Sequence, residues 1–269
     1  MAKSLTPHYH AAVAQILIPT FLIPLFLLMV GCQSDRPEGT AQITVAAAAD
    51  LVPAFEELAL AYEVQTKTRV VYSFGSTGML AQQIANGAPV DVFAAANLAY
   101  VTQLEEQGLI LPDTKAIYAR GRIVIWTPKQ ARFKPRHLQD LMSSEVERIA
   151  IANPDHAPYG IAARQALESA NMWETARSKI IYADNVRQAM QFAATGNADV
   201  AIIALSLSLS VNGDSVQISE EMHQPLDQAL AVIRSTEHQA EARSFVNFVS
   251  SPAGQAIMAK HGFIRPDPR

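Results

Sequence analysis

Four short stretches of this 269-residue chain place small, hydroxyl or amide residues where a strand should end and a helix begin. Each helix start offers unpaired backbone N–H groups and the positive end of the helix dipole, a combination that binds anions. Donors from several such starts would surround one small anion. The stretches are Ala46-Ala47-Ala48-Ala49-Asp50, Phe74-Gly75-Ser76-Thr77-Gly78, Asn153-Pro154-Asp155-His156-Ala157-Pro158-Tyr159-Gly160 and Asp184-Asn185-Val186-Arg187-Gln188.

Each stretch also has a simpler explanation when it is taken alone. Ser76 lies in a Gly-Ser-Thr-Gly turn that is most often only a helix cap, and Asp50 is placed to cap its own helix through its carboxylate. His156 is more often an ordinary loop histidine than a base. The hypothesis that the chain binds a small oxyanion therefore rests on four helix starts that meet at one edge of a sheet, where α/β proteins bind their ligands.

Composition argues against several other classes of function. The net charge of −4 shows no basic excess, which predicts no nucleic-acid partner. One cysteine and seven scattered histidines predict no site for a free metal cation and no cofactor. The nucleophile elbow, the P-loop and the dinucleotide fingerprint are all missing, so we expect no enzyme. A hydrolase that uses Asp50, Ser76 and His156 as a triad stays open as an alternative.

The elements that must position these stretches alternate between strands and helices, which is typical of an α/β fold with helices on the faces of a parallel-containing sheet. The alternation restarts near Gly121, so we predict two mixed sheets in two lobes with a ligand cleft between them. Lobe 1 is expected at residues 41–121 and 226–269, and lobe 2 at residues 122–225. The predicted strands are 43–49, 69–74, 91–95, 121–126, 148–151, 179–182, 200–203 and 229–233, and the predicted helices include 77–85, 98–107, 160–170, 186–195, 237–249 and 252–260.

The first forty residues read as an export and anchoring segment. The apolar run at residues 16–30 is too short and too rich in proline for a transmembrane helix, which needs about 20 apolar residues. Leu28-Met29-Val30-Gly31-Cys32 resembles a bacterial lipoprotein box. We therefore predict a lipoprotein signal peptide at residues 1–31, lipidation of Cys32 as the membrane anchor, and a flexible tether at residues 32–40.

From Ala41 onward the chain resembles the periplasmic molybdate-binding proteins. The resemblance is carried by residues 44–51, 74–78, 87–93, 119–122, 151–154, 157–160, 185–186, 203–206 and 260–263. It implies the bilobal periplasmic-binding-protein fold of type II. It also implies the substrate-binding role in an ABC importer, with an ABC permease of the inner membrane as partner, and a periplasmic or cell-surface location. The ligand would be molybdate or tungstate, held through its oxygens by backbone N–H groups and hydroxyls in a protein that we expect to be a monomer.

Carried over by position, the resemblance places oxyanion-binding groups at Ala49, Asp50, Ser76, Thr77, Tyr159 and Val186, the last two through their backbone N–H groups. The first stretch departs from the family, which generally has a hydroxyl or amide donor there, whereas Ala49 has no donor and Asp50 is acidic. A carboxylate would repel a dianion, so we predict that Asp50 turns its side chain away and contributes only its N–H. The departure leaves sulfate or another small oxyanion open as the ligand. Separately, nothing in the sequence decides between transport and a role as a sensor or adhesion module.

Overall fold

The computed structural model describes residues 41–265, and two five-stranded mixed sheets organise this part of the chain. The predictions made for residues 1–31, for Cys32 and for the tether at 32–40 lie outside the described residues. Between residues 41 and 265, no helix is both long and apolar enough to cross a bilayer.

The first sheet contains β1 (Gln42–Ala48), β2 (Arg69–Gly75), β3 (Val92–Ala95), β4 (Ala116–Gly121) and β10 (Leu226–Val232). Their spatial order is β2-β1-β3-β10-β4. Strands β1, β2 and β3 run parallel, whereas β10 is antiparallel to both β3 and β4. We call the part of the molecule built on this sheet lobe 1.

The second sheet, on which lobe 2 is built, contains β5 (Ile123–Pro128), β6 (Ile149–Ala152), β7 (Ile180–Ala183), β8 (Val200–Ala204) and β9 (Gly213–Gln217). Its order is β7-β6-β8-β5-β9, with β6 parallel to β7 and β8, and β5 antiparallel to β8 and β9. The chain passes from the first sheet to the second at Arg122 and returns between residues 217 and 226. The predicted fold class, α/β with two mixed sheets in two lobes, is confirmed.

Most α-helices connect strands, and α8 and α9 follow the last strand. Lobe 1 carries α1 (Val52–Thr66), α2 (Thr77–Ala85), α3 (Leu98–Glu106), α8 (Gln239–Ser250) and α9 (Pro252–Lys260). Lobe 2 carries α4 (Pro158–Ser169), α5 (Trp173–Ala176), α6 (Val186–Ala194) and α7 (Leu205–Leu209). Short 3-10 helices at Ala49–Leu51, Pro112–Thr114, Leu138–Met142 and Glu220–Met222 fill several of the connections.

Local sequence explains most helix starts. The Ser76 hydroxyl accepts a hydrogen bond from the N–H of Met79 and caps α2, and the Asn185 side chain accepts from two N–H groups of α6. Pro158 takes the first position of α4, where its missing N–H costs nothing. The expected cap at Asp50 is wrong: the 3-10 helix Ala49–Leu51 follows Ala48 as its N-cap, and α1 begins only at Val52. The Asp50 carboxylate is therefore available for other contacts.

Strands β4 and β9 were not predicted as such. Both lie at the edge of their sheets, and β9 has the sequence Gly-Asp-Ser-Val-Gln. An edge strand pairs on one side only and can be short and polar, so its residues lack the apolar run that marks a central strand.

Candidate functional site

All four strand-to-helix junctions meet at one small cavity between the two lobes. Its volume is about 10 Å³, far below the roughly 300–1,000 Å³ of pockets for drug-sized ligands. The lining includes all six residues predicted from the sequence, and no lysine or arginine belongs to it. The lining residues are Ala48, Ala49, Asp50, Gly75, Ser76, Thr77, Ala96, Ala157, Pro158, Tyr159, Asn185 and Val186.

The lobe 1 side of the cavity is formed by the start of α2 and the end of β3. Thr77, 1% exposed, accepts a hydrogen bond of 3.1 Å on its hydroxyl oxygen from the N–H of Ala96. Because that contact uses a lone pair, the hydroxyl proton of Thr77 is available to an occupant of the cavity. The N–H of Thr77 belongs to the first turn of α2, which leaves it without an intrahelical acceptor.

The lobe 2 side is formed by the starts of α4 and α6. Tyr159 and Val186 occupy the first turns of these helices, so their N–H groups also lack intrahelical acceptors. Asn185 accepts from the N–H groups of Arg187 at 3.1 Å and Gln188 at 3.0 Å. The capping side chain satisfies those two donors and leaves the N–H of Val186 at the cavity. Each lobe thus brings backbone donors and a positive helix end to the same small volume.

Asp50 adds a buried carboxyl group to this donor-rich site. The side chain is 0% exposed, and its Oδ2 accepts hydrogen bonds from the Tyr159 hydroxyl, at 2.9 Å, and from the side-chain amide of Gln228. Its Oδ1 is buried and has no hydrogen-bond partner among the described residues. We predicted that this carboxylate turns away from the anion, and its Oδ2 is held by Tyr159 and Gln228 in a polar network that joins the two lobes.

Burial dominates the ionisation of this network. It raises the pKa of Asp50 from 3.8 to about 6, and hydrogen bonds from Gln228, from Tyr159 and from the backbone N–H of Asp50 itself oppose the rise. Burial also raises the pKa of the Tyr118 and Tyr159 hydroxyls well above their usual value, so both stay protonated at neutral pH. Tyr118 donates to the Gln228 side-chain oxygen at 3.0 Å and so completes the chain of contacts.

His156 joins the two lobes at the edge of the cavity. A hydrogen bond of 2.8 Å links its Nδ1 to Ser76 Oγ, and its backbone carbonyl accepts from the N–H of Gly78 at 2.9 Å. Two of the three residues of the alternative hydrolase triad therefore meet. The third does not join them, because Asp50 bonds to Tyr159 and Gln228 rather than to His156.

Several residues of the site were missed or set aside by reasoning from sequence. Gln228 and Tyr118 lie in strands, and only the presence of an amide within the apolar run of β10 could have drawn attention to Gln228. Ala96 follows β3 as a fifth strand-to-helix junction. Among residues 41–265, no group of three or more histidine, cysteine, aspartate or glutamate side chains could hold a metal ion.

Comparison with known proteins agrees with this architecture. Residues 43–264 match the family described as bacterial extracellular solute-binding protein. The molybdate-binding protein ModA of Azotobacter vinelandii is 30% identical over 231 residues, covering 83% of this chain and 90% of its own. The ModA protein of Rhodobacter capsulatus is 29% identical over 229 residues, covering 85% and 90%.

Among solved structures, the periplasmic molybdate-binding protein of Azotobacter vinelandii superposes with a TM-score of 0.77 at 31% identity. The match covers 84% of this chain and all of the other. Fold and sequence similarity point in the same direction. The chain therefore belongs to the family of bacterial extracellular solute-binding proteins, as its resemblance to the periplasmic molybdate-binding proteins implied.

Proposed function

We propose that this protein binds molybdate, and tungstate with it, outside the cytoplasm and delivers the anion to an ABC-type importer. The observation that carries the proposal is the single cavity at which helix starts from both lobes present N–H groups and the hydroxyls of Ser76 and Thr77. The similarity to molybdate-binding proteins over more than four-fifths of the chain supports the choice of anion.

A donor-lined cavity of this kind selects its anion by charge and by size. Molybdate and tungstate are fully deprotonated at neutral pH and present only acceptor oxygens, which suits N–H and hydroxyl donors. Sulfate has the same charge but shorter bonds, so it would stretch the hydrogen bonds of a cavity shaped for the larger ion. Hydrogen bonds weaken when they are stretched or misaligned, and the site therefore discriminates by radius.

Calorimetric titration of the purified full chain in detergent at pH 7 with molybdate, tungstate and sulfate tests the proposal. We expect saturable binding of the two larger anions and much weaker binding of sulfate. Binding heat with sulfate and none with molybdate or tungstate would contradict the proposal and support sulfate as the ligand. Release of product from a chromogenic ester, lost in His156→Ala, would favour the hydrolase.

A pair of serine variants tests the placement of the site. Ser76→Ala should weaken molybdate binding by about tenfold to a hundredfold, since a hydrogen bond to a charged ligand contributes about 1.5–3 kcal/mol. Ser208 is the matched control, because it is also buried, donates to the Leu205 carbonyl at 2.8 Å and does not line the cavity. Equal effects of Ser76→Ala and Ser208→Ala would contradict the assignment.

We further propose that lipid attached to Cys32 anchors the protein, as a monomer, beside the permease. Cys32→Ser should release the chain from the membrane fraction into the soluble fraction, which cell fractionation and immunoblotting would measure. Unchanged membrane attachment of the variant would mean that the apolar segment itself is the anchor.

A further inference from the structure

Asp50 lines the cavity, and one oxygen of its buried carboxyl group has no hydrogen-bond partner among the described residues. Oδ2 is held by Tyr159 and Gln228, and the Asp50 backbone carbonyl accepts from the Ser206 hydroxyl at 2.7 Å. These contacts fix the residue from both sides, so its side chain cannot swing out of the cavity wall without breaking them. Oδ1 is the oxygen that remains buried without a partner.

A bound oxyanion would not satisfy this oxygen. Molybdate offers only acceptor oxygens, and an ionised carboxyl group offers only acceptors as well. Two acceptors brought together in a buried site repel each other unless a proton lies between them. The site therefore needs one proton in addition to its N–H and hydroxyl donors.

The groups around Asp50 supply no positive charge that could replace this proton. The side chains that face it from β4, α4, β10 and α7 are two protonated tyrosines, an amide and a hydroxyl: Tyr118, Tyr159, Gln228 and Ser206. Helices α1 and α6 also pack against the 3-10 helix that contains Asp50, and their nearby charged residues Glu56 and Arg187 are exposed. Arg122, at the crossing between the sheets, donates to the Gly262 carbonyl at 2.9 Å, and His156 bonds to Ser76.

We propose, on the basis of the proposed function, that Asp50 takes up one proton when molybdate binds and donates it from Oδ1 to an oxygen of the anion. The carboxylate, the proton and the MoO₄²⁻ ion form a neutral carboxylic acid hydrogen-bonded to an unchanged dianion. No bond within the anion breaks. Asp50 is thereby the residue that makes oxyanion capture dependent on pH.

The direction of the dependence follows from the ionisation of the free site. Burial raises the pKa of Asp50 to about 6, so the neutral form is well populated at pH 6 and becomes scarce above pH 7. Above that pKa the neutral fraction falls about tenfold for each pH unit. The dissociation constant for molybdate should therefore rise nearly a hundredfold between about pH 6.5 and pH 8.5.

Titration calorimetry of the full chain with sodium molybdate tests this inference. Measurements at about pH 6.5, 7.5 and 8.5, each in two buffers with different ionisation heats, give both the dissociation constant and the number of protons taken up. We expect close to one proton per anion at the two higher pH values. Asp50→Asn should bind with no proton uptake and with a flat pH profile, because its amide always has N–H donors.

His156→Asn is the matched control, since it removes the other titratable group at the cavity edge and keeps a polar side chain near Ser76. Proton uptake should persist in this variant. In the unmodified protein, a dissociation constant for molybdate that does not change with pH, together with no proton uptake, would overturn the inference and leave the proposed function intact. Proton uptake that is lost in His156→Asn and kept in Asp50→Asn would overturn the inference, because the histidine would then be the residue that takes up the proton. Failure of the unmodified chain and both variants to bind molybdate or tungstate would overturn the proposed function and this inference with it.

Discussion

At the scale of single residues, the unusual feature is an acidic side chain in a cavity whose other polar groups are donors. Asp50 is completely buried and holds the Tyr159 hydroxyl and the Gln228 amide on one oxygen. Loss of hydration makes its charged form costly in the folded protein. The unfolded chain solvates that charge, so ionisation of Asp50 couples the stability of the protein to pH.

We predict that Asp50→Asn stabilises the ligand-free protein at neutral pH. The folded-state pKa of about 6 exceeds the ordinary value of 3.8, so the stability that the neutral carboxyl contributes is present below pH ~4 and is lost as pH rises through about 6. The free energy of unfolding of the variant should exceed that of the unmodified protein by about 2–3 kcal/mol at pH 7.5 and by only about 1 kcal/mol at pH 4.5. Urea unfolding at both pH values measures this, and a difference that does not change with pH would contradict it.

At the scale of elements, the starts of α2, α4 and α6 serve two purposes at once. Each follows a strand and places N–H groups at the cavity, and in α2 and α6 a capping side chain decides which of those groups remain available. Ser76 caps α2, and Asn185 caps α6 through the second and third N–H groups of that helix. A capping residue here therefore contributes both to helix stability and to the position of the donors.

Two asparagine caps allow these contributions to be separated. Asn185 caps α6 at the cavity, whereas Asn97 caps α3 by accepting from the N–H of Ala99 at 2.7 Å and does not line the cavity. Asn185→Ala and Asn97→Ala should each lower the free energy of unfolding by about 1 kcal/mol. We expect only Asn185→Ala to weaken molybdate binding as well, which denaturant unfolding and calorimetry together would measure. Equal affinity of both variants for molybdate would show that the start of α6 is not part of the site.

At the scale of the whole molecule, hydrogen bonds between the lobes surround the cavity. Tyr159 of lobe 2 donates to Asp50 of lobe 1, and His156 of lobe 2 contacts both Ser76 and Gly78 of lobe 1. Each such bond contributes only about 0.5–1.5 kcal/mol net. A ligand that contacts both lobes binds more tightly when the lobes are in contact than when they are apart. Loss of a contact between the lobes should therefore weaken ligand binding.

Gly78→Ala tests that dependence without altering any group proposed to touch the anion. A Cβ at Gly78 would lie 2.6 Å from the His156 carbonyl oxygen, too close for the lobes to keep their contact. Alanine itself favours helix, so the variant should fold normally and bind molybdate at least tenfold more weakly. Gln82→Ala, on the exposed face of the same helix, should bind like the unmodified protein. Unchanged affinity of Gly78→Ala would mean that this contact between the lobes is dispensable.

The sequence alone was sufficient for the features that depend on neighbouring residues. Apolar runs and their spacing predicted the central strands and most helices, and α2 and α9 were predicted with the bounds that the structure has. The four junctions could be recognised because a helix start is a local event, set by a small or polar residue and a proline or asparagine beside it. The six individual residues of the site were carried over from the resemblance to the molybdate-binding proteins, whereas the order of strands and helices accounts for the junctions lying at one edge of the sheets.

Only the tertiary structure decided which distant side chains contact each other. The partners of Asp50 are 109 and 178 residues away along the chain, and Ser76 and His156 are 80 residues apart. No periodicity or motif encodes such pairings, because they depend on how the two lobes pack and on which side chains fill the space between them. For the same reason local reasoning could not identify the tyrosine and the amide, both from distant segments, that hold the Asp50 carboxyl group.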